Sequence, residues 1–270
     1  MRCAVLGSGS AGNALLVTTG QTTVLVDSGY SVKALEARAA ELEFDLNALD
    51  AVLVTHEHDD HLGGVLPLSR KYELAVYWTR GTRLAALERH GPAANEVEFS
   101  PHTAFAVGDL TVAPVAVPHD AREPVQFVFA HGDARLGLLT DLGSITPHVL
   151  HAYAGCDALV LEFNHDAALL ESSVYPPSLK RRIAGAYGHL SNAQSLALLE
   201  RLDTSRLQRL VAAHLSEKTN RPGLVADCLA QHLPAVPAVI AQQDGVVPWF
   251  DVPALSRPVS GCVPAAADVS

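Results

Sequence analysis

Six consecutive residues, His56-Glu57-His58-Asp59-Asp60-His61, bring three imidazoles and three carboxylates into one short run. Four of them follow the spacing H-x-H-x-D-H: His56, His58, Asp60 and His61. The apolar stretch Ala51-Val52-Leu53-Val54-Thr55 precedes the run, and Leu62-Gly63-Gly64 follows it. A strand ending there could aim His56 and His58 at one ion, while Asp60 and His61 in the turn reach a second. Imidazole nitrogen and carboxylate oxygen suit zinc, manganese or iron better than copper(I), which prefers sulfur. A solvated polar loop would not explain this density of donors directly behind a hydrophobic strand.

A two-metal site needs more donors than one motif supplies, and three positions fit. His119 closes Val115-Ala116-Val117-Pro118, Asp141 follows Leu138-Leu139-Thr140, and His214 follows Leu210-Val211-Ala212-Ala213. Each places an ionisable group where an apolar strand stops, and burying it unpaired would be costly. Alone, each has an ordinary explanation, a surface histidine or a turn cap. Together with the 56–61 motif they read as ligands. Asp27, after Val24-Leu25-Val26, is expected under the metal loop, orienting a ligand by hydrogen bonding. His90, His102, His131, His148, His151 and His232 fall in turns or on helix faces and read as structural or solvent-facing.

The elements that must position these groups alternate throughout the chain. Apolar runs predict strands at 3–6, 15–18, 23–27, 51–55, 74–78, 110–117, 125–130, 135–140, 158–162, 209–213, 238–241 and 246–250. Helices are expected at 31–42, 61–70, 81–90, 178–187, 191–202 and 221–233. Gly132-Asp133 and Asp244-Gly245 read as hairpin turns. Ser191 and Gln194 match a capping box, and Asn220 before Pro222 reads as a cap with an early proline. Strands that alternate first with one another and then with helices, twice over, suit an α/β fold. The expected architecture is a four-layer αβ/βα sandwich of two mixed β-sheets with helices on both outer faces. No linker divides the chain, so residues 1–255 are expected to form one domain. Residues 256–270, mostly Ala, Val, Pro and Ser without a period, read as a poorly ordered tail.

Composition narrows the setting. The 270 residues are 49% hydrophobic with a formal charge of −10, which argues against a broad basic face for nucleic acid. Bound dications would offset that at the site itself. The compact basic run Lys180-Arg181-Arg182 is either a solvated helix face or a phosphate-contacting patch. No apolar run approaches the ~18–20 residues that span a bilayer, and glycine comes too early for a signal peptide. Cys3, Cys156, Cys228 and Cys262 are scattered without a C-x-x-C pair, which points to free thiols in the cytoplasm. The sequence does not speak to oligomeric state.

Asp27, the 56–61 motif, His119, Asp141 and His214, in that order, resemble the metallo-β-lactamase superfamily. The segments Gly7-Ser8-Gly9-Ser10-Ala11-Gly12-Asn13, Pro118-His119-Asp120-Ala121, Glu162-Phe163-Asn164-His165-Asp166 and Gly188-His189-Leu190-Ser191-Asn192 are similar to its YycJ/WalJ group. Members of that group are phosphodiesterases or DNA exonucleases; ribonuclease Z and phosphoribosyl cyclic phosphodiesterases are neighbours. The resemblance implies two divalent ions, zinc or manganese with iron as a further choice. His56, His58 and His119 would hold the first, Asp60, His61 and His214 the second, and Asp141 would bridge them. It further implies a phosphodiester substrate, DNA or RNA or a smaller nucleotide, attacked by a metal-bridging hydroxide. His189 then serves as acid or donor at the leaving group, supported by Glu162. Asn13, Asn164 and His165 are candidate substrate contacts. Two departures stand out: Phe163 occupies a position expected to be small, and the cysteine cluster of the cyclic phosphodiesterases is absent. Two alternatives remain, a thioester or lactone hydrolase of glyoxalase II type and a metal-binding regulatory module without catalysis.

Overall fold

The computed structural model describes residues 1–254; the tail expected over 256–270 lies outside the described residues. Elements are numbered in chain order. The first sheet contains β1 (Arg2–Gly7), β2 (Ala14–Thr18), β3 (Thr23–Val26), β4 (Ala51–Leu53), β5 (Ala75–Thr79) and β6 (Asn95–Phe99), with β14 (Val247–Asp251) outside β1. The second runs, in spatial order, from β7 (Phe105–Val107) through β8 (Leu110–Ala116), β9 (Val125–His131), β10 (Ala134–Leu139), β11 (Ala158–Glu162) and β12 (Arg209–Ala213) to β13 (Ala238–Ile240). Both sheets are mixed: β3 to β6 and β10 to β13 are parallel, and the remaining pairs are antiparallel.

Two-residue periodicity sorts the strands between three cores. Cys3, Val5, Val24, Val26, Ala51 and Leu53 meet Phe127, Phe129, Leu136, Leu138, Val160 and Val211 between the sheets. The alternate residues Leu6, Leu25 and Val52 face α1 (Val32–Glu41), α3 (Val65–Tyr72) and α4 (Arg80–His90) through Leu35, Leu68 and Ala86. On the far side Leu159, Leu161, Leu210 and Ala212 pack under α5 (Pro147–Tyr153), α8 (Asn192–Arg201) and α9 (Pro222–His232). Burial on both faces is why these strands read as unbroken apolar runs. The expected four-layer αβ/βα sandwich is the observed one.

Several local expectations change. The helix expected over 61–70 breaks at Gly63-Gly64 into α2 (Asp59–Leu62) and α3, so that Asp59 and Asp60 sit in the first turn of α2, where its dipole favours carboxylates. Gly132-Asp133 is the β9–β10 hairpin, but Asp244-Gly245 is not a hairpin: β13 and β14 belong to different sheets, and this loop carries the chain between them. The capping box at Ser191 forms with both bonds present. Arg221, not Asn220, precedes α9; the Asn220 amide instead donates to Phe163 O at 2.7 Å and Asn192 Oδ1 at 2.8 Å. The edge strands β6 and β7 and the short helices α5 and α6 (Ala167–Ser172) were not anticipated. β6 reads Asn-Glu-Val-Glu-Phe, the charged composition that keeps a sheet edge from pairing further.

The loop ahead of α2 is sewn to its neighbours through backbone. Asn13 N donates to Asp60 O at 2.8 Å, Ser28 N to His61 O at 2.7 Å and Gly64 N to Ser28 O at 2.7 Å. This contact leaves no room for a side chain: a Cβ on Gly29 would lie 2.1 Å from Asp60 O. Gly29→Ala is therefore expected to destabilise the protein by about 1–3 kcal/mol, the cost of overpacking against a backbone that cannot yield. Urea unfolding midpoints of the two proteins check this, and an unchanged midpoint refutes it.

Candidate active site

The site lies where parallel strands of both sheets end, the usual place for function in α/β folds. Asp27 follows β3, His56 follows β4 by way of Val54-Thr55, Asp141 follows β10, Glu162 ends β11 and His214 follows β12. Three of these, Asp27 (φ 58°), Asp141 (φ 51°) and His214 (φ 56°), hold left-handed backbone, which L-residues other than Asn and Asp seldom adopt. Such a residue turns the chain sharply as the strand ends and swings its own side chain back over the sheet edge. Strain of this kind is characteristic of functional positions.

Hydrogen bonding fixes which ring nitrogen of each histidine is bare. Thr55 Oγ1 donates its single proton to Asp27 Oδ2 at 2.8 Å, so at 3.0 Å it accepts from His56 Nδ1. His61 Nδ1 donates to Asp27 Oδ2 at 2.8 Å, and His119 Nδ1 donates to Gly188 O at 3.1 Å. In the neutral rings the Nε2 lone pairs of His56, His61 and His119 then point inwards. His56 Nε2 lies 3.0 Å from His58 Nδ1, which lies 3.2 Å from His119 Nε2. Nitrogens ~2.0–2.1 Å from a tetrahedral zinc are separated by about 3.3 Å, which is this spacing. Without a shared cation, a single proton on His58 Nδ1 would have to serve both facing lone pairs.

A second group adjoins the first. Asp60 Oδ2 is 3.4 Å from both His61 Nε2 and His214 Nε2. Asp141 lies between the groups, with Oδ2 3.2 Å from His61 Nε2 and Oδ1 3.4 Å from His214 Nε2 and 3.9 Å from His119 Nε2. Asp141 Oδ2 is buried without a hydrogen bond of proper geometry, an orphaned acceptor that a cation would satisfy. All seven expected ligands thus converge, and the donor set fits divalent metal.

The electrostatics have the same source. Burial opposes charge on His214, yet Asp141, Asp60 and Glu162 overcome it and push the ring up to about 10. His61 is raised well above the usual histidine range against burial by Asp141, Asp60 and Asp27. Burial, joined by the charge on His61, drives His56 well below that range. Burial also opposes ionisation of Asp141, but His214 and His61 hold it well below the carboxylate range. These carboxylates demand positive charge, supplied by protons on His61 and His214 or by a cation that displaces them.

Beside this cluster Glu162 is fully buried and holds His189, accepting from its Nδ1 at 2.8 Å. The same carboxylate accepts from the backbone N–H groups of Asp141, Leu142 and Leu190 at 3.2, 3.2 and 2.9 Å, and from His214 Nδ1 at 3.2 Å. Burial opposes its charge, but His189 and His214 bring it down to about 2.

Comparison with known proteins gives the same family. A match to the beta-lactamase superfamily domain covers residues 22–215. The chain is 37% identical over 231 residues to exodeoxyribonuclease YycJ of Bacillus anthracis, covering 85% of this chain and 88% of that one. The chain belongs to the metallo-β-lactamase superfamily. Within it, the YycJ/WalJ group is confirmed by exodeoxyribonuclease WalJ of Streptococcus pneumoniae, 33% identical over 222 residues, 80% of this chain and 82% of that one. The metallo-β-lactamase fold protein YhfI of Bacillus subtilis superposes with a TM-score of 0.72 at 16% identity, covering 91% and 98% of the two chains, which shows the shared fold.

In this superfamily member the cluster opens into a cavity of about 500 Å³, lined by His58, Asp60, Asp141, His189 and His214 on one side. Asn164 borders it, with its amide committed to His214 O at 3.1 Å. The other two expected substrate contacts, Asn13 and His165, are not among the residues that line this cavity. Asn13 faces inwards: its Oδ1 accepts from Ser8 Oγ and Gly9 N, and its Nδ2 donates to Gly9 O and approaches Asp60 Oδ2, so it braces the metal loop. His165 is buried and is not among the lining residues. Phe163, the departure from the group's pattern, fills the outer core of the second sheet. The six histidines expected to be structural or solvent-facing are all at least partly exposed.

Sequence reasoning missed other lining residues, chief among them Arg89, Asp120 and Tyr175. Arg89 donates to Asp59 Oδ1 at 2.7 Å and to Glu57 O at 3.2 Å, while Arg182 is held by Asp120. Each of these acids is the chain neighbour of a metal-site residue, the one signal that pointed to them.

Because protons on His61 and His214 compete with a cation, metal uptake must release them. Below about 10 His214 keeps its proton, so competition weakens and affinity rises as pH climbs towards that value. Zinc added to chelator-treated protein at pH 8 in weak buffer is expected to acidify the solution, read with an indicator dye. No acidification would count against the assignment.

Proposed function

We propose that the chain is a hydrolase of phosphodiester bonds that uses two divalent metal ions, and that it trims DNA ends as an exonuclease. The observation that carries this reading is His189, locked by Glu162 at 2.8 Å beside the two donor groups and lining the same cavity. A phosphodiester with a poor alkoxide leaving group needs such a proton donor, whereas a thioester, whose thiolate departs readily, does not. The names of the two YycJ/WalJ relatives favour DNA over RNA.

In this reading His56, His58 and His119 would hold one ion and Asp60, His61 and His214 the other, with Asp141 available to both. Zinc, manganese and iron all suit this donor set. Ions held there would lower the pKa of a bound water towards ~7 and would neutralise charge on phosphoryl oxygens. The protein does the rest. Asp27 and Thr55 fix the ring orientations of His61 and His56, and ring partners of this sort sharpen metal affinity. Glu162 accepts the hydrogen bond of His189 Nδ1–H and so orients the ring, which turns a proton on Nε2 towards the departing oxygen. Asp60, as a ligand beside the scissile phosphate, sets the charge there. The sequence 1–255 acts as one metallo-hydrolase domain. Among the described residues no helix is long and apolar enough to cross a membrane, and Cys3 and Cys228 are free thiols, which favours the cytoplasm.

Two substitutions test this. His189→Ala is expected to lower kcat on a DNA oligonucleotide by roughly 10²–10⁴-fold with metal content unchanged, the usual weight of a general acid. A loss of only a few-fold would remove His189 from the role of proton donor. Asp60→Ala is expected to lose one equivalent of metal by elemental analysis and to abolish turnover; activity equal to the parent's would remove Asp60 from the site.

A further inference from the structure

The wall of the cavity facing the metal cluster is built from the loop and helix after α6. Tyr175, in the loop 173–176, lines it together with Leu179, Arg182 and Ile183 of α7 (Pro177–Ile183). This segment is stiff for a loop: Tyr175 is followed by Pro176 and Pro177, which confine the backbone before them to extended conformations. Ser173 Oγ also ties the turn to Leu170 O at 2.7 Å. Lys218 Nζ lies 5.6 Å from the centroid of the Tyr175 ring. Of the basic run at 180–182, only Arg182 reaches the cavity; Lys180 caps Glu171 O and Arg181 is exposed. Asp120 engages Arg182 through Nε, so the two terminal nitrogens of the guanidinium keep hydrogens for another acceptor.

An aromatic ring flanked by cations is the combination that single-stranded nucleic acid requires: a platform for a base, and positive charge for the phosphate beside it. The size of the cavity sharpens this. A volume of about 500 Å³ is that of a pocket for one small-molecule-sized group, a match to a single nucleotide rather than to two paired strands. Leu179 and Ile183 supply apolar surface for the edge of a base rather than further charge.

We propose that Tyr175 and Arg182 form a subsite for one unpaired nucleotide at a strand end, with the base on the Tyr175 ring and the adjoining phosphate against Arg182. This rests on the phosphodiesterase reading and adds to it: the terminal nucleotide leaves its partner and enters the cavity alone, at the unpairing cost paid by enzymes that draw a base out of the stack. Tyr175 is a binding residue in this scheme and takes no part in proton transfer.

The test uses the metal-loaded protein and titrates inorganic phosphate and thymidine 3′- and 5′-monophosphates by calorimetry. The tighter nucleotide is expected to bind at least tenfold more strongly than phosphate, within the range of one base stacked on one aromatic ring. Tyr175→Ala is expected to bring that ratio close to one, and Tyr175→Phe to keep it. A merely structural tyrosine would weaken phosphate and nucleotide alike and leave the ratio in place. A ratio unchanged in Tyr175→Ala, or no preference for nucleotide in the parent protein, overturns the subsite. Release of a labelled nucleotide from a duplex end should be several-fold faster when the last pair is mismatched; equal rates overturn entry as an unpaired nucleotide. If the parent fails to hydrolyse thymidine 5′-(4-nitrophenyl) phosphate, the phosphodiesterase reading itself falls. The calorimetric ratio, which needs no turnover, then tells separately whether the cavity takes a nucleotide.

Discussion

Asp27 is 3% exposed, and its two oxygens accept from Thr55 N, Thr55 Oγ1 and His61 Nδ1, each at 2.8 Å. Everything in the metal loop follows from those three bonds. They fix the His61 ring directly and the His56 ring through the Thr55 hydroxyl, so both present Nε2 to the centre. They also hold the strand end against the loop that follows β3, where the left-handed conformation of Asp27 itself turns the chain. A carboxylate buried to this degree is costly, and burial raises its pKa; His61 and Thr55 work against that rise. The cost is accepted because no apolar residue could orient two imidazoles at once.

Glu162 does the same for the second sheet. It collects three backbone N–H groups, His189 and His214, and so joins the ends of β10, β11 and β12 to the segment before α8. Each sheet therefore contributes one buried carboxylate as a local organiser, and the cluster forms where the two meet. The Gly7–Gly12 loop closes the arrangement from below. Ser8 Oγ accepts from His214 N at 2.9 Å and donates to Asn13 Oδ1 at 2.8 Å, while Asn13 N binds Asp60 O. Ligands from both sheets are thus referenced to one short loop, and a shift in one sheet cannot occur without a shift in the donor set.

What was legible in the sequence follows from this construction. Strands buried on both faces leave continuous apolar runs, and an ionisable residue at the end of such a run stands out. That is how Asp27, His56, His119, Asp141 and His214 could be picked without coordinates. The edge strand β6 was lost because it alternates charge with apolar residues and resembles a loop, and β7 because Phe105-Ala106-Val107 is too short a run to stand out. The left-handed turns at Asp27, Asp141 and His214 left no trace, since nothing in a one-dimensional pattern marks φ for a residue other than glycine. A polar residue in a glycine-rich loop suggests ligand contact, and no one-dimensional pattern shows that the Asn13 side chain is engaged by Ser8, Gly9 and Asp60. Tyr175 and Arg89 were invisible because they reach the cavity from elements far from any motif.

The formal charge of −10 is the feature hardest to square with the proposed nucleic-acid substrate, and the placement of the acids bears on it. Asp27, Asp60, Asp141 and Glu162 are turned inwards on the imidazole cluster, where two divalent ions would neutralise all four. Asp59 and Asp120 are spent on Arg89 and Arg182, and each pair holds a guanidinium at the cavity wall. Arginine suits this use because its planar fork can serve a carboxylate on one edge and a phosphate on another. The acids around the site are therefore the means by which positive charge is fixed there. A net charge summed over the chain conceals this, because it counts a carboxylate that anchors an arginine as though it repelled the substrate.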